Sequence, residues 1–318
     1  MMRGAGATAG DRECGMRMAM GGGLTARFAA ELRADQSAGG TIPRLVLGAR
    51  LRWLRATSQI SEVVAAQVVG SQARLNAMEA GIIRSRLHDV IALCDLYQVD
   101  EHATRVSLLE LARQGQRGGW WQAYRPVIPE WFLPYLGIEQ AADVIRCYAV
   151  VCVPDLLQTD TYARAHIDLV HPDAPPAENE MRVRLRMQRQ QRVLGQGQGA
   201  QLWAILDEAA LRRSVGGKAV MFRQLEHLLE VNDRPNVTIQ VIPFAASGHV
   251  ALSGPITLLR SQRHDVPDMV YLEHLAGVLY PDRASDCEYY RHALNGMAVQ
   301  ALPPHRTSAL LVQMINSL

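Results

Sequence analysis

Residues 61–81, SEVVAAQVVGSQARLNAMEAG, decide how the amino-terminal part of this 318-residue chain is read. Ser61 is placed to cap a short helix, Gly70 to end it and Ser71 to cap a second. Serine oxygens at such positions satisfy backbone N–H groups that the first turn leaves unpaired. Apolar residues at helical spacing predict one buried stripe per helix: Val64, Ala65 and Val68 on the first, Leu75 and Met78 on the second. That phase leaves Gln72, Ala73, Arg74 and Asn76 pointing outward from the opening turns of the second helix. Gln, Arg and Asn are side chains that pair with base edges in the major groove, and a recognition helix presents them from those turns. The stretch therefore reads as a helix-turn-helix facing double-stranded DNA, with a plain corner between two packed helices as the alternative.

The flanks extend the pattern. Leu47, Leu51 and Leu54 form a stripe before the motif, with Arg44, Arg50, Arg52 and Arg55 on other faces. Val90, Cys94 and Tyr97 form another after it. A fifth helix is expected from Asp100 to about Gln114, with Val106, Leu109 and Ala112 inward. Arg50, Ser71 and Arg84 are the expected phosphate contacts. The fold class expected for residues 41–118 is an all-α helix-turn-helix domain of five helices.

Residues 119–318 read as an α+β domain. The stretch 138–151 has the pattern of a helix, followed by helices over 156–169, 178–194 and 218–231. Strands are expected at 201–206, 236–242, 256–259, 269–272 and 278–280, with two closing helices over 285–300 and 304–317. The helix over 178–194 carries Arg182, Arg184, Arg186, Arg189 and Arg192 on several faces, which fits an ion-paired surface better than a phosphate track. Trp120, Trp121, Tyr124, Trp131, Phe132 and Tyr135 crowd the start of the domain. They are read as a core anchor, or, in the sharper reading, as a partner or effector surface on Trp120, Trp121 and Trp131, with His249 facing a pocket from a loop between strands.

Six blocks add a resemblance: GWWQAYRPVIPEWFLPYLGIEQAA (119–142), VPDLLQTDTYARA (153–165), LWAILDEAALRRSVGG (202–217), LLEVNDRPNVTIQVIPF (228–244), GPITLLR (254–260) and VYLEHLAGVLY (270–280). With the motif at 61–81, they resemble an actinobacterial family in which an XRE-type (Cro/phage-repressor-like) helix-turn-helix domain precedes a carboxy-terminal domain. Its members are called antitoxin-like transcriptional regulators. The resemblance implies sequence-specific DNA binding by a homodimer and a small companion protein encoded nearby as partner. Several positions depart from the family pattern. Val69 stands where a glycine is usual, with Gly70 one position late; Ala77 stands where many members have Arg; Ile82 and Ile83 replace a basic or proline-containing run; Glu62 occupies a place often held by Gln. Phosphate neutralisation supplies most non-specific affinity, so these changes predict weaker DNA binding than the family norm, or a helix-turn-helix that serves protein interaction alone.

Charge is distributed in keeping with this reading. Residues 41–118 hold ten basic and seven acidic groups, whereas residues 119–318 hold eighteen and twenty, so the basic excess falls on the helix-turn-helix segment. One lysine, Lys218, accompanies thirty-two arginines, which fits a high-GC genome. Cys14, Cys94, Cys147, Cys152 and Cys287 lack the paired spacing of a metal site and read as reduced thiols. No run approaches the ~20 apolar residues of a membrane span, and the start of the chain lacks the apolar segment of a signal peptide. A cytoplasmic protein is expected. Residues 1–40, interrupted by Gly21–Gly23 and Gly39–Gly40, read as a disordered arm or an over-long amino terminus. No serine sits in a G-x-S-x-G elbow, Gly195–Gly199 follows a helix, unlike a dinucleotide loop, and Arg212 replaces the first glycine of a P-loop at 212–218. No enzyme activity and no cofactor are expected.

Overall fold

The computed structural model describes residues 39–195, 199–246, 254–261, 268–274, 277–281 and 284–318. The arm expected over 1–40 therefore lies outside the described residues except for Gly39 and Gly40, and His249 lies outside them too.

Five helices open the described chain: α1 (Thr41–Thr57), α2 (Glu62–Val69), α3 (Gln72–Glu79), α4 (Leu87–Leu96) and α5 (His102–Gln114). Leu47, Leu51, Leu75, Met78, Val90 and Leu93 close their common core, each almost wholly buried. Two stripes differ from the sequence reading. On α2 the buried residues are Ala65, Ala66 and Val69, while Val64 and Val68 face solvent. Both stripes are equally apolar, and the packing against α3 takes the small pair of alanines, which lets the helices approach closely. On α5 the buried face is Leu108, Leu111 and Ala112; Val106 is half exposed and Leu109 only partly covered. The helix starts at His102, and its contacts with α1 and α4 select the stripe one residue away from Val106.

After two 3-10 turns (Trp120–Val127 and Glu130–Phe132) come α6 (Leu133–Ala141), β1 (Val144–Ala149), a 3-10 turn at Asp155–Leu157, α7 (Asp160–Val170) and α8 (Pro176–Leu194). Then follow β2 (Gln201–Asp207), α9 (Glu208–Arg212), α10 (Lys218–Asn232), β3 (Val237–Ile242), β4 (Ile256–Arg260), β5 (Met269–His274), β6 (Gly277–Leu279), α11 (Ala284–Gln300) and α12 (Pro304–Asn316). The six strands form one mixed sheet in the order β3-β2-β1-β4-β5-β6, so this part is α+β.

The helix expected over 138–151 is corrected by β1. Its backbone pairs with β2 in parallel and with β4 antiparallel, which makes it a central strand. A strand covered on both faces is apolar almost throughout, and periodicity alone does not separate it from a buried helix. Once paired, its residues alternate as strands must. Ile145 and Cys147 join the core that continues from α6, whereas Tyr148 faces the opposite side, where Leu294 and Met297 of α11 pack.

The five-helix unit is seated directly on the α+β part. Buried side chains run without a break from Ile42 and Val46 through Tyr135 and Ile138 into the sheet. At this joint Gly137 of α6 lies against Thr41, and a Cβ on Gly137 would collide with the threonine side chain. Glycine permits that close approach of α1 and α6.

Candidate nucleic-acid interface

Three local devices build the helix-turn-helix. Ser61 Oγ accepts the backbone N–H of Val64 at 3.3 Å, and Ser71 Oγ accepts that of Arg74 at 3.2 Å. Between them Gly70 ends α2 in the left-handed region (φ 100°), its N–H donating to Ala66 O. A Cβ there would meet none of the described residues, so the requirement for glycine is conformational. The residue one place later than the family pattern thus performs the chain reversal.

The first turns of α3 present Gln72, Ala73 and Asn76 to solvent. Ser71 is exposed as well, although its hydroxyl is used in the cap. Two of the expected readers are engaged within the protein. Gln72 Nε2 donates to Glu62 Oε2 at 3.1 Å, which ties the start of α3 to the start of α2. Arg74 turns to Asp89 of α4, its Nη2 donating to Oδ2 at 2.6 Å. Asp89 is buried and also meets His88 Nε2 at 3.1 Å.

Arg84, in the loop after α3, is exposed. Arg50 is turned to α5, where its Nη1 donates to Ser107 Oγ at 3.3 Å. Behind α3, Arg55 grips the buried Glu79 through two bonds of 2.7 and 2.9 Å and reaches Glu62 at 3.4 Å. The hydrogen bond to Glu79 holds the Arg55 pKa above its ordinary value. Glu62, Asp89 and Glu79 are the residues that sequence reasoning missed as organisers of this face. The signal was present only in Glu62, an acidic residue opening α2.

The residues expected to form a partner or effector surface separate. Trp121 is buried with Ile128, Leu136 and Leu185, so it belongs to the core. Trp120 is half-buried, edge-on to Trp121 and beneath the guanidinium of Arg192 at 4.7 Å. Trp131 is 40% exposed, and its carbonyl accepts the Tyr280 hydroxyl at 2.7 Å. On α8 the arginines are ion-paired: Arg182 with Glu178, Arg184 with Glu180, Arg186 with Asp155. Arg189 is corrected from a surface group to a buried one, held by Glu139 and Asp155. Cys94, Cys147 and Cys152 are free thiols, and among the described residues no cluster could hold a metal ion. No described helix is long and apolar enough to cross a membrane.

Two family models match the chain. A family model described as a helix-turn-helix domain matches residues 46–106, and the model of the domain of unknown function DUF5753 matches residues 132–313. No curated protein and no solved structure matches the chain. A helix-turn-helix joined to this carboxy-terminal domain supports a DNA-binding regulator. With the second match spanning more than half of its length, the chain belongs to the DUF5753 family.

Proposed function

We propose that this protein is a sequence-specific transcriptional regulator of the XRE, antitoxin-like type, acting in the cytoplasm as a homodimer on paired half-sites. The observation that carries the reading is the exposed opening of α3. There Gln72, Ala73 and Asn76 stand free of the core on a helix capped and turned as a recognition helix must be. Ser71 and Arg84 flank those turns as phosphate contacts. Residues 119–318 serve as the platform for a small companion protein or an effector and catalyse no reaction. Support for that part is the sequence resemblance together with the absence of a catalytic motif in the chain.

A second reading has its own observation. Gln72 and Arg74 are both occupied by carboxylates of the same domain, which fits a helix-turn-helix kept for protein contact. Selection of genomic fragments by the full chain, followed by salt-titrated binding, separates the two. The regulator reading expects a specific site and a logarithmic salt dependence set by the phosphates neutralised. Failure to bind any fragment at low salt selects the interaction module.

A further inference from the structure

A cavity of about 1350 Å³ lies where the five-helix unit meets the α+β part. Small-molecule sites are typically ~300–1,000 Å³, so this one has room for an apolar body of several rings. Trp53, Ile83 and Trp131 contribute to its walls, from α1, from the loop after α3 and from the start of the second domain. Trp53 and Trp131 keep 52% and 40% of their surfaces exposed, so the wall is apolar surface that the other described residues leave uncovered.

The charges that the described residues place around it are unbalanced. Among the described residues three carboxylates line the cavity, and each is already held: Glu79 by Arg55, Glu130 by Arg125 and Asp268 by Arg260. Arg44, Arg84 and Arg117 line it too, and among the described residues none of them is paired with a carboxylate. Arg44 is the most constrained. Its terminal nitrogens donate to the Gly115 carbonyl at 3.4 Å and to Thr41 Oγ1 at 3.1 Å, while its buried Nε has no partner among the described residues. Burial, and after it the neighbouring Arg84, pull its pKa down to about 10.

We infer that this cavity is the binding site of a small organic anion, a carboxylate or phosphate carried on an aromatic or polycyclic body, which Arg44, Arg84 and Arg117 would meet as charge and Trp53, Ile83 and Trp131 as surface. The inference rests on the regulator reading in one respect: it names the effector and where it acts. The carboxy-terminal end of α3 borders the cavity at Glu79 and Ala80, and the opposite end of the same helix carries Gln72, Ala73 and Asn76. An occupant that draws Arg84 inward removes a cation from the DNA side and shifts α3 at its base. Ligand and DNA should therefore influence each other's affinity reciprocally. Residues 1–38 are a poorer occupant, because five arginines against four acidic groups give that segment a net positive charge.

Calorimetric titration of the full chain with 2-naphthoate, 2-naphthyl phosphate and the neutral 2-naphthamide tests the site. One of the anions should bind at least tenfold more tightly than the amide, and which one does so separates carboxylate from phosphate ligands. Arg117→Gln and Trp53→Ala, each checked for an unchanged fold by circular dichroism, should weaken that anion about tenfold. Equal binding of all three probes, or anion binding that neither substitution affects, overturns the site. At saturation the anion should change the Kd for selected DNA at least fivefold, and an unchanged Kd overturns the coupling. A wild-type chain that binds the anion and no DNA refutes the regulator reading and leaves the site standing; one that binds DNA and no anion does the reverse.

Discussion

Arg74 Nη2 lies 2.6 Å from Asp89 Oδ2, so the one arginine on the opening turns of α3 is held by a buried carboxylate of α4. The pair fixes the recognition helix against its neighbour. It also offsets a positive charge at the surface where DNA phosphates would lie. A specific binder tolerates that cost, because suppressing a free cation lowers non-specific affinity more than base readout.

Asp89→Asn separates these roles. Losing the carboxylate should lower stability by about 1–3 kcal/mol, the usual consequence of breaking a charged hydrogen bond with a buried partner. Affinity for arbitrary duplex DNA should nevertheless rise at low salt, and the slope of log K against log salt should steepen by up to about 1. An unchanged slope in fluorescence anisotropy would show that Arg74 remains away from the phosphates even when released.

Base readers and phosphate contacts should differ in kind. Gln72→Ala and Asn76→Ala should each cost about 1–3 kcal/mol on the selected site and relax preference at one base pair. Arg84→Ala should weaken all sequences alike and flatten the salt slope. Arg50→Ala is expected to depart from the sequence reading. Its guanidinium bonds Ser107 on α5, so the loss should appear as about 1 kcal/mol of stability, with the salt slope intact. Binding to a library of single-base variants, alongside urea denaturation, tests all four.

These assignments mark the limit of what the sequence carried. The two serine caps and Gly70 are local devices, set by residues within four positions of each other, and they were legible. The face of α2 was not. Val63, Val64, Ala65, Ala66, Val68 and Val69 offer two apolar stripes, and only the partner helix chooses between them. Strand β1 was obscured because a central strand shows no alternation of polar and apolar residues. Arg189 gave no sign of burial, since Glu139 stands fifty positions earlier and only the packing of α6 on α8 brings them together.

The joint between the two parts rests on a missing side chain. Thr41 is buried against Gly137, and a methyl group there would overlap it. Gly137→Ala should therefore destabilise the protein by about 1–3 kcal/mol, the range for overpacking a filled site. It should also speed proteolysis near Gly118–Gly119, where α1 and the linker touch through the Gly40 N–H to Arg117 O bond of 3.0 Å. Thr41→Gly in the same chain should recover part of the loss, a coupling that two independent sites would not show.

The buried ionic knot of the second domain should govern its acid limit. Arg189 donates to both oxygens of Glu139 at 2.9 and 2.8 Å and to Asp155 at 2.9 Å, under the rings of Phe132 and Tyr135. Burial opposes the Asp155 charge, but Arg186 and Arg189 outweigh it and hold its pKa down to about 2. An unfolded aspartate titrates near ~3.9. The folded state therefore binds this proton less readily than the unfolded one. The stabilisation is complete above about pH 4 and is lost as pH falls towards 2. Replacing Arg189 removes the partner of a buried carboxylate. Arg189→Met should cost about 3–5 kcal/mol near neutral pH. The same change removes one of the two cations beside Asp155, so the loss of stability between pH 4 and 2 should shrink in the variant. Urea denaturation of both proteins across that range measures the difference, and parallel acid profiles would show that Arg189 does not set the charge of Asp155.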